Sequence, residues 1–317
     1  MFSTHIMFSK TFGFIKVMRP RQWLKNLAVF ASIIFTGQLF EPDLFRISAW
    51  AFVVFCLVSS SNYLINDIID APKDRKHPFK RFRAIASGLI SPSFALILAA
   101  SMLAVGFLIS LNLNTSFFVV VGLYFMMSFF YTFLLKHIAV VDILVIASGY
   151  FLRVYAGEAA TGWHLSIWLS LAVFSLSLFL AIGKRRSELT LLQNYAGAKP
   201  AETRSTLGHY SEKLLDAYTS MFAVATFITY SYYTFLERPP ASTWPYKRFI
   251  SESIPSDRKW LMATIPFVLY GIMRYMQLIY EGKGESPEKI LTSDKPLIGT
   301  IMAWGLVAIL IIYLIGG

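Results

Sequence analysis

Cysteine is almost absent from this chain, because Cys56 is the only one among 317 residues. A disulfide within the chain is therefore excluded. Cys56 stands inside an apolar run, so we expect it to serve packing rather than to act as a nucleophile. Charged residues are also scarce, at 15% of the chain, and they are concentrated in a few loops. This scarcity leaves no segment from which a separate soluble domain could be built.

Long apolar runs fill most of the chain instead. Hydrophobic residues make up 56% of it, whereas soluble domains have roughly 45–50%. A helix needs about 20 apolar residues to cross a bilayer, and nine runs approach that length. They cover residues 23–41, 47–70, 92–112, 115–135, 138–158, 164–184, 213–236, 259–280 and 296–316. The sequence therefore predicts an all-α polytopic membrane protein, with residues 1–317 forming a single transmembrane domain of nine helices.

Acidic residues are the rarer charge: 18 Asp and Glu stand against 29 Lys and Arg, which gives a net charge of +11. The apolar excess and the position of the bases in loops favour anionic headgroups and phosphate substrates as partners, rather than nucleic acid. Lys and Arg concentrate before the first run and after the second, fourth, sixth and eighth runs. These segments are therefore predicted to be cytoplasmic, with the C-terminus outside.

The first apolar run is not followed by a small-residue cleavage site, so we expect it to be retained as a membrane span. We therefore expect a multi-pass protein of the cell (inner) membrane.

A cluster of carboxylates closes the second apolar run, in the stretch NDIIDAPKDR at residues 66–75. On a helix, Asp67, Asp70 and Asp74 would share one face. Pro72 is expected to end or bend the helix, in which case Asp74 would reach back from the loop. Clustered carboxylates at a membrane edge need a counter-charge, and Mg²⁺ supplies one and usually brings a substrate phosphate. The stretch predicts a site for Mg²⁺ and a diphosphate.

The loop after these carboxylates is strongly basic and includes Arg75, Lys80 and Arg83. One interpretation is an anchor for lipid headgroups. Because the bases stand beside three carboxylates, the alternative is a cradle for a Mg²⁺-bound phosphate. Arg would bind the phosphate through two parallel hydrogen bonds and Lys as a point charge.

A second charged cluster, Lys184, Arg185, Arg186 and Glu188, stands where the sixth run meets the cytoplasmic side. One interpretation is a basic helix end, which the helix dipole favours. Since the cluster is expected on the same membrane side as the three carboxylates, a contribution to the same site is the alternative.

Isolated polar residues also lie in or near the runs. Asn66 and Asp70 continue a polar stripe on the second run, and Lys25 and Lys136 lie at its predicted cytoplasmic level. Arg153 lies well inside the fifth run. A charge at that depth indicates either a functional site or an ion pair between helices.

The stretch at 66–75 resembles the NDxxDxxxD motif of the UbiA superfamily of intramembrane prenyltransferases. The resemblance covers nearly the whole chain and implies a UbiA-like bundle of nine helices, with its active site open to the cytoplasm. Arene transferases of this superfamily usually carry a second motif, DxxxD, where this chain has KRRSE at 184–188. That departure resembles the decaprenyl-phosphate phosphoribosyltransferase branch. Further matches to the branch are RPRQWLKN at 19–26, RAIASG at 83–88, with Ala84 where Pro is expected, and RVYAG at 153–157.

This branch implies transfer of 5-phosphoribose from phosphoribosyl diphosphate to a polyprenyl phosphate, with release of diphosphate. Asp67, Asp70 and Asp74 are then expected to hold Mg²⁺, with Glu188 as a further ligand. The residues expected to contact the substrates are Lys25, Asn66, Arg75, Lys80, Arg83, Lys136, Arg153, Lys184, Arg185 and Arg186. Three phosphate-bearing groups in one cavity also explain why bases replace acids in the second motif.

Two other functions stay open at this point. One is a polyprenyl-diphosphate arene prenyltransferase of the same fold, against which the bases at 184–186 count. The other is a transporter, against which the lack of paired, Gly/Pro-interrupted spans counts. The phosphoribosyltransferase interpretation is also compatible with a homo-oligomer.

Overall fold

The computed structural model describes residues 17–75, 80–194, 205–237, 259–281 and 287–315. Over these ranges the chain forms helices and turns without any strand. The long helices are α1 (3-10 over Pro20–Phe30, then α over Ala31–Phe35), α2 (Pro42–Asp74), α3 (Pro92–Leu113), α4 (Thr115–Phe133), α5 (Val141–Thr161), α6 (Ile167–Asn194), α7 (Glu212–Leu236), α8 (3-10 over Trp260–Thr264, then α over Ile265–Tyr280) and α9 (Lys295–Leu310, with a π-helical end, Ile311–Ile315). The predicted all-α bundle is confirmed.

Each predicted run coincides with one of these helices. Seven of them, all except α1 and α7, are long and apolar enough to cross a bilayer. Their outward faces carry large apolar side chains such as Ile97, Leu108 and Met302, which are 69%, 61% and 69% exposed. Such surface is stable in lipid and not in water, so this is a multi-pass membrane protein.

Polar caps determine where several helices begin. The side chains of Ser91, Asn114, Ser211 and Asp294 each accept a hydrogen bond from the backbone N–H three residues later. These bonds satisfy donors that the first helical turn leaves free. The caps therefore fix the start of α3, α4, α7 and α9.

The helices pack around α2 and α5. Helix α2 contacts α1, α3 and α5, while α6 packs against α5 and α7. Helices α1 and α5 approach so closely at Gly157 that an added Cβ would lie 1.9 Å from the carbonyl oxygen of Val29. Cys56 is buried in α2 and accepts a hydrogen bond from Asn26, in keeping with the packing role expected of it.

The end of α2 corrects one expectation. Pro72 does not end the helix, which continues to Asp74 with Pro72 exposed in its last turn. The two flanking acidic positions, Asp67 and Asp74, are buried on the same face as Ala71. Because the helix persists, the three carboxylates keep fixed helical spacing, and Asp74 does not reach back from the loop.

Candidate active site

Two of the three motif carboxylates share one cation. Nη1 of Arg83 lies 3.1 Å from Oδ1 of Asp67 and 2.7 Å from Oδ2 of Asp74. Nη2 of Arg19 donates to both carboxylate oxygens of Asp67, at 2.6 and 2.7 Å. The segment before α1 and the loop before α3 thus each deliver an arginine to the end of α2.

The third carboxylate has a different partner. Oδ1 of Asp70 lies 2.9 Å from Nζ of Lys136, and Oδ2 accepts a hydrogen bond of 3.0 Å from the side-chain amide of Asn66. Lys136 belongs to the short turn Leu135–His137 between α4 and α5. The three carboxylates and their three cations, from four separate segments, are called the motif cluster below. It comprises Asp67, Asp70, Asp74, Arg19, Arg83 and Lys136.

The motif cluster offers the oxygen ligands that Mg²⁺ prefers. Since Asp67 and Asp74 both bond to Nη1 of Arg83, one cationic centre already bridges them. Asp70 is turned to Lys136, and within the described ranges three His, Cys, Asp or Glu side chains nowhere converge in a metal-holding group. The donor set suits magnesium. The arrangement is one in which arginine and lysine balance the carboxylate charge.

Arg19 is a member of this cluster that the sequence did not single out as a site residue. It has a left-handed backbone, with φ 52°, immediately before Pro20. Its guanidinium also lies 5.0 Å from the ring centre of Tyr63. A non-glycine residue at positive φ is uncommon. The available signal was its position next to the helix-starting proline on the predicted cytoplasmic side.

The second predicted cluster divides into side chains with different neighbours. Arg185 is fully buried, with Nε 2.8 Å from Oδ2 of Asp142 and Nη1 2.6 Å from Oε2 of Glu188. Its Nη2 donates to the hydroxyl of Tyr131 at 3.2 Å. Asp142, also fully buried, accepts a hydrogen bond of 2.7 Å from Tyr210. These five residues are called the buried cluster.

The buried cluster joins α4, α5, α6 and the segment before α7. Burial, together with the hydrogen bond to Asp142, raises the pKa of Tyr210 above its usual value. The hydroxyl therefore stays protonated and remains a donor to Asp142. Neither Asp142 nor Tyr210 was predicted as a site residue.

Arg186 and Lys184 face other surroundings. Arg186 reaches α7, where its guanidinium bonds Asp216 at 2.8 Å and Glu212 at 3.0 Å, and it lies over the ring of Tyr280. Lys184 is half-buried, and no ion pair within 4.0 Å involves it among the described residues. Neighbouring residues of one helix thus point to separate partners.

The deep arginine of α5 has neutral hydrogen-bond partners. Nε of Arg153 donates to Asn26 at 2.8 Å and Nη2 to the hydroxyl of Tyr124 at 2.7 Å. A further bond goes to the carbonyl of Gly149. Lys25, the neighbour of Asn26, lies 5.3 Å from the ring centre of Tyr150. This group joins α1, α4 and α5.

Of the two further predicted site residues in the basic loop, Arg75 and Lys80, only Arg75 has a described side chain. Arg75 is exposed and donates from Nε to the carbonyl of Ala86 at 3.3 Å. Lys80 begins the short turn Lys80–Phe82, and its side chain lies outside the described residues.

Comparison of the sequence with known proteins shows the family of this chain. A sequence model of the UbiA prenyltransferase family matches residues 27–186. The decaprenyl-phosphate phosphoribosyltransferase of Mycolicibacterium smegmatis is 37% identical over 92% of this chain and 90% of its own length. The protein of that name from Corynebacterium glutamicum is 33% identical over 95% of this chain and 87% of its own.

Solved structures agree with this placement at the level of the fold. A UbiA homolog from Archaeoglobus fulgidus bound to GPP and Mg²⁺ superposes with a TM-score of 0.68 and 19% identity, covering 95% of this chain and 99% of that one. The resemblance noted from the sequence is confirmed. The chain belongs to the UbiA prenyltransferase family.

Proposed function

We propose that this protein is a membrane transferase that moves 5-phosphoribose from phosphoribosyl diphosphate to a polyprenyl phosphate and releases diphosphate. The observation that carries the proposal is the motif cluster, in which three carboxylates and three cations from separate segments meet at one end of the bundle. Carboxylates suit a divalent cation, and the cations suit phosphates. The names of the relatives specify which phosphate-bearing substrates to test.

The number of cations at this end of the bundle favours phosphoribosyl transfer over arene prenylation. An arene transferase holds one diphosphate, whereas the proposed reaction brings a 5-phosphate, a diphosphate and a lipid phosphate together. Arg19, Arg83 and Lys136 lie in the motif cluster, and Lys184 lies on helix α6, half-buried. These four cations would balance the additional phosphate charge.

The residues that would hold Mg²⁺ are Asp67, Asp70 and Asp74. The ion, when bound, would neutralise charge on the leaving diphosphate. Arg19 and Arg83, released from the carboxylates, would bind phosphate oxygens through paired hydrogen bonds. Glu188 is a weaker candidate ligand, because it is paired with the buried Arg185. Arg75, Lys80, Lys25, Asn66, Arg153 and Arg186 remain predicted contacts.

The transfer needs no general base, because the lipid phosphate is already an anion at neutral pH. One of its oxygens would attack C1 of the ribose as the bond from C1 to the diphosphate oxygen breaks, and diphosphate leaves with the electron pair. Inversion at C1 is expected by analogy with glycosyl transfer. Positioning and electrostatic stabilisation by Arg19, Arg83 and Lys136 would carry the rate.

We further propose that the motif cluster opens to the cytoplasm in the cell membrane, with the N-terminus inside and the C-terminus outside. The excess of Lys and Arg in the segments at this end of the bundle supports that orientation. Cysteines introduced singly after replacement of Cys56, and labelled with an impermeant maleimide in sealed cells, would test it.

The deciding experiment incubates membranes that contain the protein with labelled phosphoribosyl diphosphate, a polyprenyl phosphate and Mg²⁺. A labelled lipid, soluble in organic solvent and shown by mass spectrometry to be a polyprenyl phosphoribosyl phosphate, would support the proposal. Its formation should stop with EDTA. Prenylation of an arene by polyprenyl diphosphate, with no labelled lipid, would favour the rival enzyme, and unchanged label inside sealed vesicles would favour transport.

A further inference from the structure

The turn between α4 and α5 presents Lys136 to the motif cluster and contains an unusual backbone. Val140, a β-branched residue, has φ 68° and ψ −47° just before α5 begins. Such a conformation is strained and persists only where neighbouring groups enforce it. What holds this turn therefore also determines where Nζ of Lys136 lies.

Tyr210, 70 residues further along the chain, bonds to this turn. Its hydroxyl accepts a hydrogen bond of 2.6 Å from the backbone N–H of Val140 and donates one of 2.7 Å to Oδ1 of Asp142. The other carboxylate oxygen of Asp142 faces Nε of Arg185 and also accepts a bond of 3.3 Å from Thr206. The strained residue and the residue two positions later are thus fixed by one tyrosine.

Arg185 holds the other side of the same turn. Nη2 of its guanidinium donates to Tyr131, near the end of α4, while Nε makes an ion-pair contact of 2.8 Å, without hydrogen-bond geometry, to Asp142 at the start of α5. Lys136 lies between these two contact points in the chain. Because Arg185 and Asp142 are both fully buried, their pairing is not exchanged for water.

We propose that Tyr210, Asp142 and Arg185 are positioning residues that fix the turn at 134–140, so that Lys136 faces Asp70 in the site. This deepens the proposed function, on which its kinetic test rests. Arg185 then acts on the reaction through Lys136 and not by contact with a substrate phosphate. The sequence KRRSE stands where arene transferases of the superfamily usually carry DxxxD. In it, Arg185 then has a structural role in addition to its positive charge.

A double-mutant cycle tests whether Tyr210 acts through Lys136. Tyr210→Phe removes the acceptor for Val140 and the donor to Asp142 and keeps the ring. Together with Lys136→Ala and the double variant, it is assayed for kcat and KM of both substrates. We expect Tyr210→Phe to lower kcat/KM about tenfold in the wild-type background and less than twofold once Lys136 is alanine. Three results would overturn the proposal: equal losses of kcat/KM in both backgrounds, no loss in either background, or a Lys136→Ala variant whose kcat/KM equals that of the wild type.

Tyr313→Phe is the matched control. Tyr313 also accepts a backbone N–H, from Leu39 at 2.9 Å, and donates to the carbonyl groups of Ile33 or Ile34, at the opposite end of α1 from the site. The melting temperatures of both variants in detergent should fall alike, while kcat/KM of Tyr313→Phe stays near wild type. A comparable kinetic loss in this control would mean that Tyr210→Phe acts through general stability.

Hydrogen exchange separates this proposal from the proposed function. The amide of Val140 should exchange at least tenfold faster in Tyr210→Phe than in the wild type, measured on peptides that cover residues 134–144. Unchanged exchange would overturn the positioning role whatever the reaction is. If the wild-type protein makes no phosphoribosyl lipid, only the proposed function is overturned. The exchange rate of the Val140 amide would still show whether Tyr210 holds the turn.

Discussion

The two acid–base clusters lie at the same end of the bundle, yet they differ in exposure. The ion pairs of the motif cluster each have a partly exposed partner, such as Asp70 at 24% or Arg83 at 30%, although Asp74 is only 6% exposed. In the buried cluster Arg185 and Asp142 are both 0% exposed. Partly exposed pairs can exchange partners at small cost, because water and a ligand replace what is lost. Buried pairs are expensive to break. The same charges therefore suit ligand binding in one cluster and fixed structure in the other.

The largest effect is expected where the buried pair is broken. Asp142→Ala leaves Arg185 buried with one carboxylate fewer, and we expect the free energy of unfolding to fall by about 3–5 kcal/mol. Thermal and denaturant unfolding in detergent would measure it. Asp43→Ala is the matched control, since Asp43 pairs with Arg46 at an exposed site and should change stability by less than about 1 kcal/mol. Similar losses in the two variants would remove the distinction between buried and exposed pairs.

Removing a motif carboxylate should lower the activity strongly and the stability little. Asp70→Ala is expected to lower kcat/KM by a factor of about 100 or more, or about 3 kcal/mol, because a ligand for the leaving group's counter-ion is lost. Its unfolding free energy should stay within about 1 kcal/mol of wild type. Transfer assays at several Mg²⁺ concentrations would check this. Substantial Mg²⁺-dependent turnover by Asp70→Ala would contradict the metal role of this carboxylate.

A packing change tests whether both clusters depend on the contact between α1 and α5. Gly157→Ala would place a Cβ 1.9 Å from the carbonyl oxygen of Val29, so the helices must separate. We expect a loss of about 1–3 kcal/mol in unfolding free energy and lower activity, since α1 follows Arg19 and α5 carries Asp142.

Gly122→Ala on α4 is the control for that change. An added Cβ there meets nothing within 4 Å, and alanine favours a helix by about 1 kcal/mol over glycine. Stability should be unchanged or slightly raised. If both glycine variants lose stability equally, the contact of Gly157 with Val29 is not the cause.

The smallest effect is expected at Lys184, which stands beside Arg185 in the chain. Lys184 is half-buried and has no ion pair among the described residues. Lys184→Ala should leave stability within about 0.5 kcal/mol and raise KM for a phosphate-bearing substrate by at most about tenfold. A loss of stability like that of Asp142→Ala would show that the two neighbours share one structural role.

The fold was largely predictable because membrane helices depend on local composition. Apolar runs of bilayer length must be helical, since no water satisfies their backbone. Two backbone details were not predictable from hydropathy. The helix α2 continues through Pro72, which lies exposed in its last turn, and α1 is mostly 3-10 in form.

The candidate site was only partly predictable. The motif at 66–75 gave the three carboxylates, and the basic residues on the same side included Arg83 and Lys136. The role of Tyr210 had no signal, because a tyrosine before a helix has no distinctive pattern. Arg185 and Arg186 look alike in sequence, but adjacent helical positions face directions about 100° apart. One residue therefore meets α5 and the other α7.

The sequence alone determined a helical membrane protein with three carboxylates close together near the end of its second apolar run, because hydropathy and residue order are local properties. Only the tertiary structure decided which cation meets which carboxylate. Arg19 pairs with Asp67 across 48 residues and Lys136 with Asp70 across 66. Such pairings depend on the rotation and depth of whole helices, which follow from packing between distant segments.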